Sequence, residues 1–169
     1  MALLTHFFRD MHQILFRDAE QNAIPPMDGA LSPNEALDHC RPIGDPLPGA
    51  DDVAESLDGA IYVSAGRQVF HLSGPGFATR AVFAEFDAPA GGLAVHPDGR
   101  LLVCVAGRGL AAVDAAGRQT WLNQVEDQPL HCLTSVAAAP DGTVFASEGS
   151  RLTAPDDWCR DLMQKNRAG

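Results

Sequence analysis

The stretch "SVAAAPDGTVFASEGS", residues 135–150, decides the fold. It reads as a strand, a tight turn and a second strand. Two earlier stretches repeat it: "DVAESLDGAIYVSAG" at 52–66 and "GLAVHPDGRLLVCVAG" at 92–107. In each, an Asp-Gly pair separates two short apolar runs: Asp58-Gly59, Asp98-Gly99 and Asp141-Gly142. Asp-Gly in that setting signals a hairpin and predicts a type I′ turn, in which both central residues have φ > 0. The pairs recur about 40 residues apart, the period of propeller blades built from four strands each.

Working outward, the strands of each blade can be assigned. The first blade takes "DVAES", "AIYVSA", "VFHLSG" and "RAVFAEF", with a turn at Gly66-Arg67. The second takes "GLAVH", "RLLVCVA", "GLAAVD" and "QTWLNQV", with a turn at "AAGR". The third has its inner hairpin and little more. Inner strands rich in Ala and Val suit the narrow space near a propeller axis. The fold class is therefore all-β, an incomplete propeller. Two blades and a hairpin cannot close a ring of four to eight blades. The sequence thus predicts a fragment of a longer protein, or else assembly with another chain or an open repeat stack.

The flanks differ in character. Leu3, Leu4, Phe7, Phe8, Met11, Ile14 and Leu15 recur at helical spacing and predict an N-terminal helix. Six prolines between Pro25 and Pro48 make the following segment an irregular arm. The expected organisation is helix and arm over 1–49 and partial propeller over 50–169. Near the C-terminus, "TAPDDWCRDLMQK" predicts a short helix, with Thr153 and Asp156 at capping-box spacing.

The formal net charge of the 169 residues is −10, which argues against nucleic acid or an anionic membrane surface as partner. No stretch approaches the run of apolar residues a membrane span needs, and the N-terminus lacks a secretory cleavage pattern. Cys40, Cys104, Cys132 and Cys159 are too irregularly spaced to signal a zinc site or a disulfide scaffold. A reducing, cytoplasmic setting fits them. Phosphate-loop, nucleophile-elbow and zinc-protease motifs are absent.

Four segments carry a resemblance: "IPPMDGALSPN", "ADDVAESLDGAIYVS", "EDQPLHCLTSVAAAPDGTVFASEGS" and "APDDWCRDLMQKNRAG". Together they resemble the strictosidine synthase-like branch of the calcium-dependent phosphotriesterase superfamily. That superfamily includes the regucalcin (SMP-30)/gluconolactonase proteins. The resemblance covers about the first half of a family member. It implies a six-bladed propeller with the active site in its central channel. It also implies a divalent cation, usually Ca²⁺, held by acidic and Asn side chains at the starts of inner strands. The implied chemistry is hydrolysis of lactones, esters or organophosphates.

Residue by residue, Gly49-Ala50-Asp51-Asp52 matches the family's Gly-x-Glu-Asp pattern, with Asp51 in the carboxylate ligand's place. Asp52 alternatively serves as a hydrogen-bond partner between blades. Thr134-Ser135 stands where the family has Asn-Asp. A hydroxyl is a poorer ligand for a hard cation, so this departure weighs against a metal. Asp52, Thr134 and Ser135 are the channel-facing candidates. No catalytic residue is assigned, and the namesake branch's catalytic glutamate belongs to a later blade. His131-Cys132 suggests a nucleophile and base, but strand neighbours point to opposite faces. Glu148 reads as structural. The expected function is a lactone or ester hydrolase in the complete protein, acting on a small-molecule substrate, with the fragment itself inactive. A non-catalytic binding propeller and a metal-independent synthase or lyase are the alternatives.

Overall fold

The computed structural model describes residues 32–150 together with Thr153, Asp157, Arg160 and Met163. The expected N-terminal helix lies outside the described residues, as does most of the expected C-terminal one, of which Arg160 and Met163 are helical. The chain divides into two compact units, Met1–Arg41 and Pro42–Gly169. In the first, Ala36–His39 form a single 3₁₀ turn, preceded by Asn34, whose side chain accepts the Ala36 N–H. The second holds the sheets.

Strands β1 (Ala50–Glu55), β2 (Ile61–Ala65), β3 (Gln68–Ser73) and β4 (Thr79–Glu85) form an antiparallel sheet in sequence order. Strands β5 (Ala90–Val95), β6 (Leu101–Val105), β7 (Gly109–Val113) and β8 (Gln119–Leu122) form a second with the same order. Two short strands, β9 (Gln124–Val125) and β10 (Gln128–Pro129), pair with each other. Strands β11 (Leu133–Ala138) and β12 (Val144–Glu148) make the third inner hairpin. Successive four-stranded antiparallel meanders joined from outer strand to next inner strand are the layout of a β-propeller, here a partial one.

Two apolar layers lie between the three sheets. The first layer joins Val69, Ala84 and Phe86 to Leu93, Leu101, Val103, Val105, Ala111 and Val113. The second sets Leu102, Cys104 and Leu110 against Leu133 and Val136. The alternation along β6 explains both layers. Leu101, Val103 and Val105 point to the first sheet, and Leu102 and Cys104 point to the third hairpin. A strand buried on both faces reads as a continuous apolar run, as "LLVCV" does.

Two expectations are corrected. The Asp-Gly turns are not type I′. Gly59, Gly99 and Gly142 have φ of 82°, 88° and 87°, but their aspartates do not have positive φ. In the second hairpin, Gly99 N–H donates to His96 O and His96 N–H donates to Arg100 O. The other two hairpins show the same pattern, that of a type I turn followed by a left-handed glycine. Pro97 and Pro140 occupy the first central position, where a fixed φ near −65° suits type I and excludes I′. Each aspartate also accepts the N–H two residues on: Ala60, Arg100 and Thr143. The Ser56 hydroxyl and then the Ala60 N–H at Asp58, the Arg100 guanidinium and then the Arg100 N–H at Asp98, and the Thr143 N–H and hydroxyl at Asp141 hold these carboxyls below their usual range.

The segment "QTWLNQV" is not one strand. It stops at Leu122, and Asn123 O instead accepts Leu130 N–H, closing the small β9–β10 hairpin. At this bend the chain passes so close to Gly109 that a Cβ there would lie 2.4 Å from Leu122 O.

The second and third sheets meet by direct backbone approach. A Cβ on Gly92 would stand 2.7 Å from Thr134 O and 2.8 Å from the Ser135 Cα. Neither atom belongs to a flexible side chain. Gly92→Ala should therefore force the two sheets apart and destabilise the fold by about 1–3 kcal/mol, the usual cost of overpacking. The check is the midpoint of urea unfolding, and an unchanged midpoint would contradict the contact.

Candidate functional site

Each inner strand carries an irregularity at the same point. In β1–β2 the register runs Ala50↔Ala65 and then Val53↔Val63, so Asp51 and Asp52 together oppose Ser64. In β5–β6, Gly91 and Gly92 oppose Cys104 between the pairs Ala90↔Val105 and Leu93↔Val103. In β11–β12, Thr134 is the extra residue between Leu133↔Glu148 and Ser135↔Ser147. Such bulges bend a strand and re-aim its side chains. Here they bring Asp51, Gly91 and Thr134 to equivalent positions on one edge of the three inner strands.

These residues line an open depression of about 490 Å³, whose floor includes Ala106, Cys104 and Cys132. Asp51 is exposed and lies beside Gly91, where an added Cβ would be 3.2 Å from Asp51 Oδ2. Thr134 is exposed as well, but its hydroxyl is engaged. Thr134 Oγ1 lies 3.0 Å from Ser147 Oγ and 3.4 Å from Ser147 O.

Asp52 and Ser135 go elsewhere. Asp52 Oδ2 accepts the Leu93 N–H at 2.7 Å, across the gap to the second sheet. Its Oδ1 accepts the Val53 N–H at 2.8 Å, and its own N–H donates to Ser64 Oγ at 3.0 Å. Ser64 is fully buried and donates back to Asp52 O, so the bulge is held by side-chain bonds on both strands. Asp52 thus bridges two inner strands. Ser135 lines a separate depression on the outer face of the third hairpin.

Burial, with the Asp52 carboxylate nearby as a second cause, pushes the Cys104 thiol up to about 12. A thiol so shifted is a packing group rather than a nucleophile. His131 is exposed and Cys132 is buried, both in the segment just before β11. Glu148 Oε1 accepts the N–H groups of His131 and Cys132 at 2.6 and 3.1 Å, fixing the entry into β11. His96 closes the opposite end of the second joint. Its Nε2 lies 3.2 Å from Gly142 O, and its Nδ1 faces Asp98 Oδ1 at 2.8 Å. His71 packs against the Tyr62 ring.

Among the described residues, no three His, Cys, Asp or Glu side chains cluster as a metal site. Of the residues lining the depression, Asp51 is the carboxylate, and Gly91 brings none. Ca²⁺ takes six to eight oxygens. The described residues therefore do not by themselves fit a calcium shell. The bulges were missed by sequence reasoning. Their available signal was Gly91-Gly92 inside an otherwise apolar strand, since glycine there marks a bulge or a close approach.

No protein-family model matches this chain, and no curated protein matches it. Solved structures do. A gluconolactonase from Xanthomonas campestris superposes with a TM-score of 0.55 at 22% identity, over 62% of this chain and 36% of that one. A luciferin-regenerating enzyme gives 0.47 at 20% identity, over 59% of this chain and 38% of that one. A streptogramin B lyase gives 0.49 at 14%, over 63% and 36%. The similarity to the gluconolactonase establishes the fold as that of propeller blades. The chain spans little more than a third of the length of these neighbours.

Two measurements check the site's construction. Asp52→Ala leaves the Val53 and Leu93 N–H groups without their acceptor and should cost about 1–3 kcal/mol in denaturant unfolding. Asp52→Asn, which keeps one acceptor oxygen, should lose less. Equal stability of all three proteins would contradict the bridge. In native protein at pH 8, iodoacetamide should label the exposed Cys40 and spare Cys104 until denaturant is added. Labelling of both at one rate would contradict Cys104's burial.

Proposed function

We propose that this chain is the first part of a six-bladed propeller hydrolase of the SMP-30/gluconolactonase kind, in the strictosidine synthase-like branch. Its substrate is a lactone or ester, and its setting is the cytoplasm. The observation that carries this reading is the alignment of three bulged strand starts around one depression, with the Asp51 carboxylate at its lip. A pocket at the converging ends of inner strands draws its groups from several sheets, and it is complete only when the ring is. Asp51 is the ligand this chain would contribute to a calcium ion, with the other oxygens coming from later blades. The similarity of fold to a gluconolactonase supports the class of reaction, though fold alone never fixes chemistry.

One observation favours a second reading. The Thr134 hydroxyl is held by Ser147, and Gly91 offers no side chain, so two of the three strand starts present no ligand. This suits a propeller that binds a small molecule without turning it over, or a synthase-like activity that needs no metal.

The test compares three proteins on a panel of lactones and aryl esters, with and without added Ca²⁺. Residues 1–169 alone should show no turnover. The complete protein containing them should hydrolyse at least one substrate, and its Asp51→Ala variant should lose about a hundredfold or more, the scale of removing one electrostatic group from a reaction centre. Turnover indifferent to Asp51, or a complete protein that binds but never hydrolyses, would favour the second reading.

A further inference from the structure

A further depression, of about 440 Å³, opens beside β8 at the joint between the first two sheets. Its residues come from the end of β4 and the β4–β5 connection, the β6–β7 turn and the β8 segment, and none of them lines the depression at the strand starts. Trp121 supplies its aromatic surface. By register Trp121 lies opposite Ala111 and Gln119 opposite Val113, so both share the face of the second sheet that meets the first. Trp121 is nevertheless 41% exposed, at a joint whose two four-stranded sheets the chain itself supplies. Phe86 stands at right angles to the indole, with ring centroids 5.9 Å apart, and holds it in place.

Planar polar groups surround the indole. Arg108 Nε donates to Asp87 Oδ1 and Oδ2 at 3.1 and 3.0 Å, and Nη2 donates to Oδ2 at 2.8 Å. These hydrogen bonds hold the Asp87 carboxyl below its usual range, so the two groups stay ionised and offset each other's charge. Gln119 Nε2 donates to Glu85 O at 3.1 Å, which fixes its amide, while the Glu85 carboxylate accepts from Gln68 Nε2. Asn123 adds a second amide.

We propose that this depression binds a neutral polyhydroxylated ring, a saccharide unit laid with its C–H face on Trp121 and its hydroxyls against Asp87, Arg108 and the two amides. The chemistry of the wall selects that class. The indole offers a broad, rigid apolar surface. A hydroxyl both donates and accepts, so neighbouring hydroxyls meet the carboxylate and the guanidinium together, in charge-assisted bonds, and leave the ion pair intact. An anion would have to displace Asp87 from Arg108, and a cation would have to displace Arg108 from Asp87. The volume falls within the roughly 300–1,000 Å³ of small-molecule sites. The site uses no residue of the strand-start depression, so it does not rest on the hydrolase reading.

Nitrogen-15 NMR of the 169-residue chain, titrated with methyl glucoside, methyl galactoside and methyl mannoside at millimolar concentrations, tests this. The chain has two tryptophans, and Trp158→Phe assigns their indole N–H signals. The Trp121 signal should shift saturably with at least one glycoside while the Trp158 signal stays. Asp87→Ala should raise the half-saturating concentration about tenfold, the scale of losing a hydrogen bond to a charged group. Trp121→Leu should abolish saturation transfer from the protein to the glycoside. Circular dichroism checks that both variants keep their β-sheet signal. If Trp121→Leu loses it, Asp87→Ala decides alone, since both side chains of its ion pair face solvent. The absence of a saturable shift with any glycoside overturns the proposal, and so do equal shifts at both tryptophans. Binding indifferent to Asp87→Ala, or a Trp121 shift produced by tetramethylammonium or inorganic phosphate but not by the glycosides, overturns it as well.

Discussion

The Asp52 carboxylate is the point on which the arrangement of sheets depends. Neighbouring propeller blades are not joined by strand pairing, so each inner strand presents N–H groups to its neighbour that need acceptors. Asp52 supplies one acceptor to Val53 on its own strand and the other to Leu93 on the next. A hydrogen bond to a charged acceptor is stronger than a neutral one, and this one spans 41 residues of sequence. Ser64 pins the carboxylate's own backbone from the other side. The apolar layer then fills in behind the bond, from Val69 and Ala84 on one sheet to Leu93 and Val103 on the other.

The next joint solves the same problem differently. Gly92 stands where Asp52 does, and there the strands approach until no Cβ fits. The bulge survives at all three strand starts while its occupants change from two aspartates to two glycines to threonine and serine. The backbone device is constant and the chemistry placed on it varies. That separation explains how one scaffold presents a carboxylate at one strand start and bare backbone at the next, around a shared depression.

Much of this was legible in the sequence. The Asp-Gly pairs gave the hairpins and their spacing gave the blades, and "RLLVCVA" was read as a strand of the second blade, whose burial on both faces the structure adds. The turn type was misread because the dipeptide was weighed without the preceding Pro97 and Pro140, which dictate the backbone at the first central position. The outer strand of the second blade was drawn too long because its end is set by a tertiary bond, from Leu130 N–H to Asn123 O, that no local pattern announces. Asp51 and Asp52 were both visible as candidates, yet only the bulge sends one to the depression and the other into the joint. A period-two strand would have placed them on opposite faces without saying which served which purpose.

Amide hydrogen exchange at Leu93 tests the bridging carboxylate most directly. This N–H faces away from β6, so pairing within its own sheet does not protect it. Slow exchange at neutral pH, comparable to that of the buried strand β6, is the expected result. Exchange at the rate of a solvent-exposed strand edge would contradict the bond between the sheets.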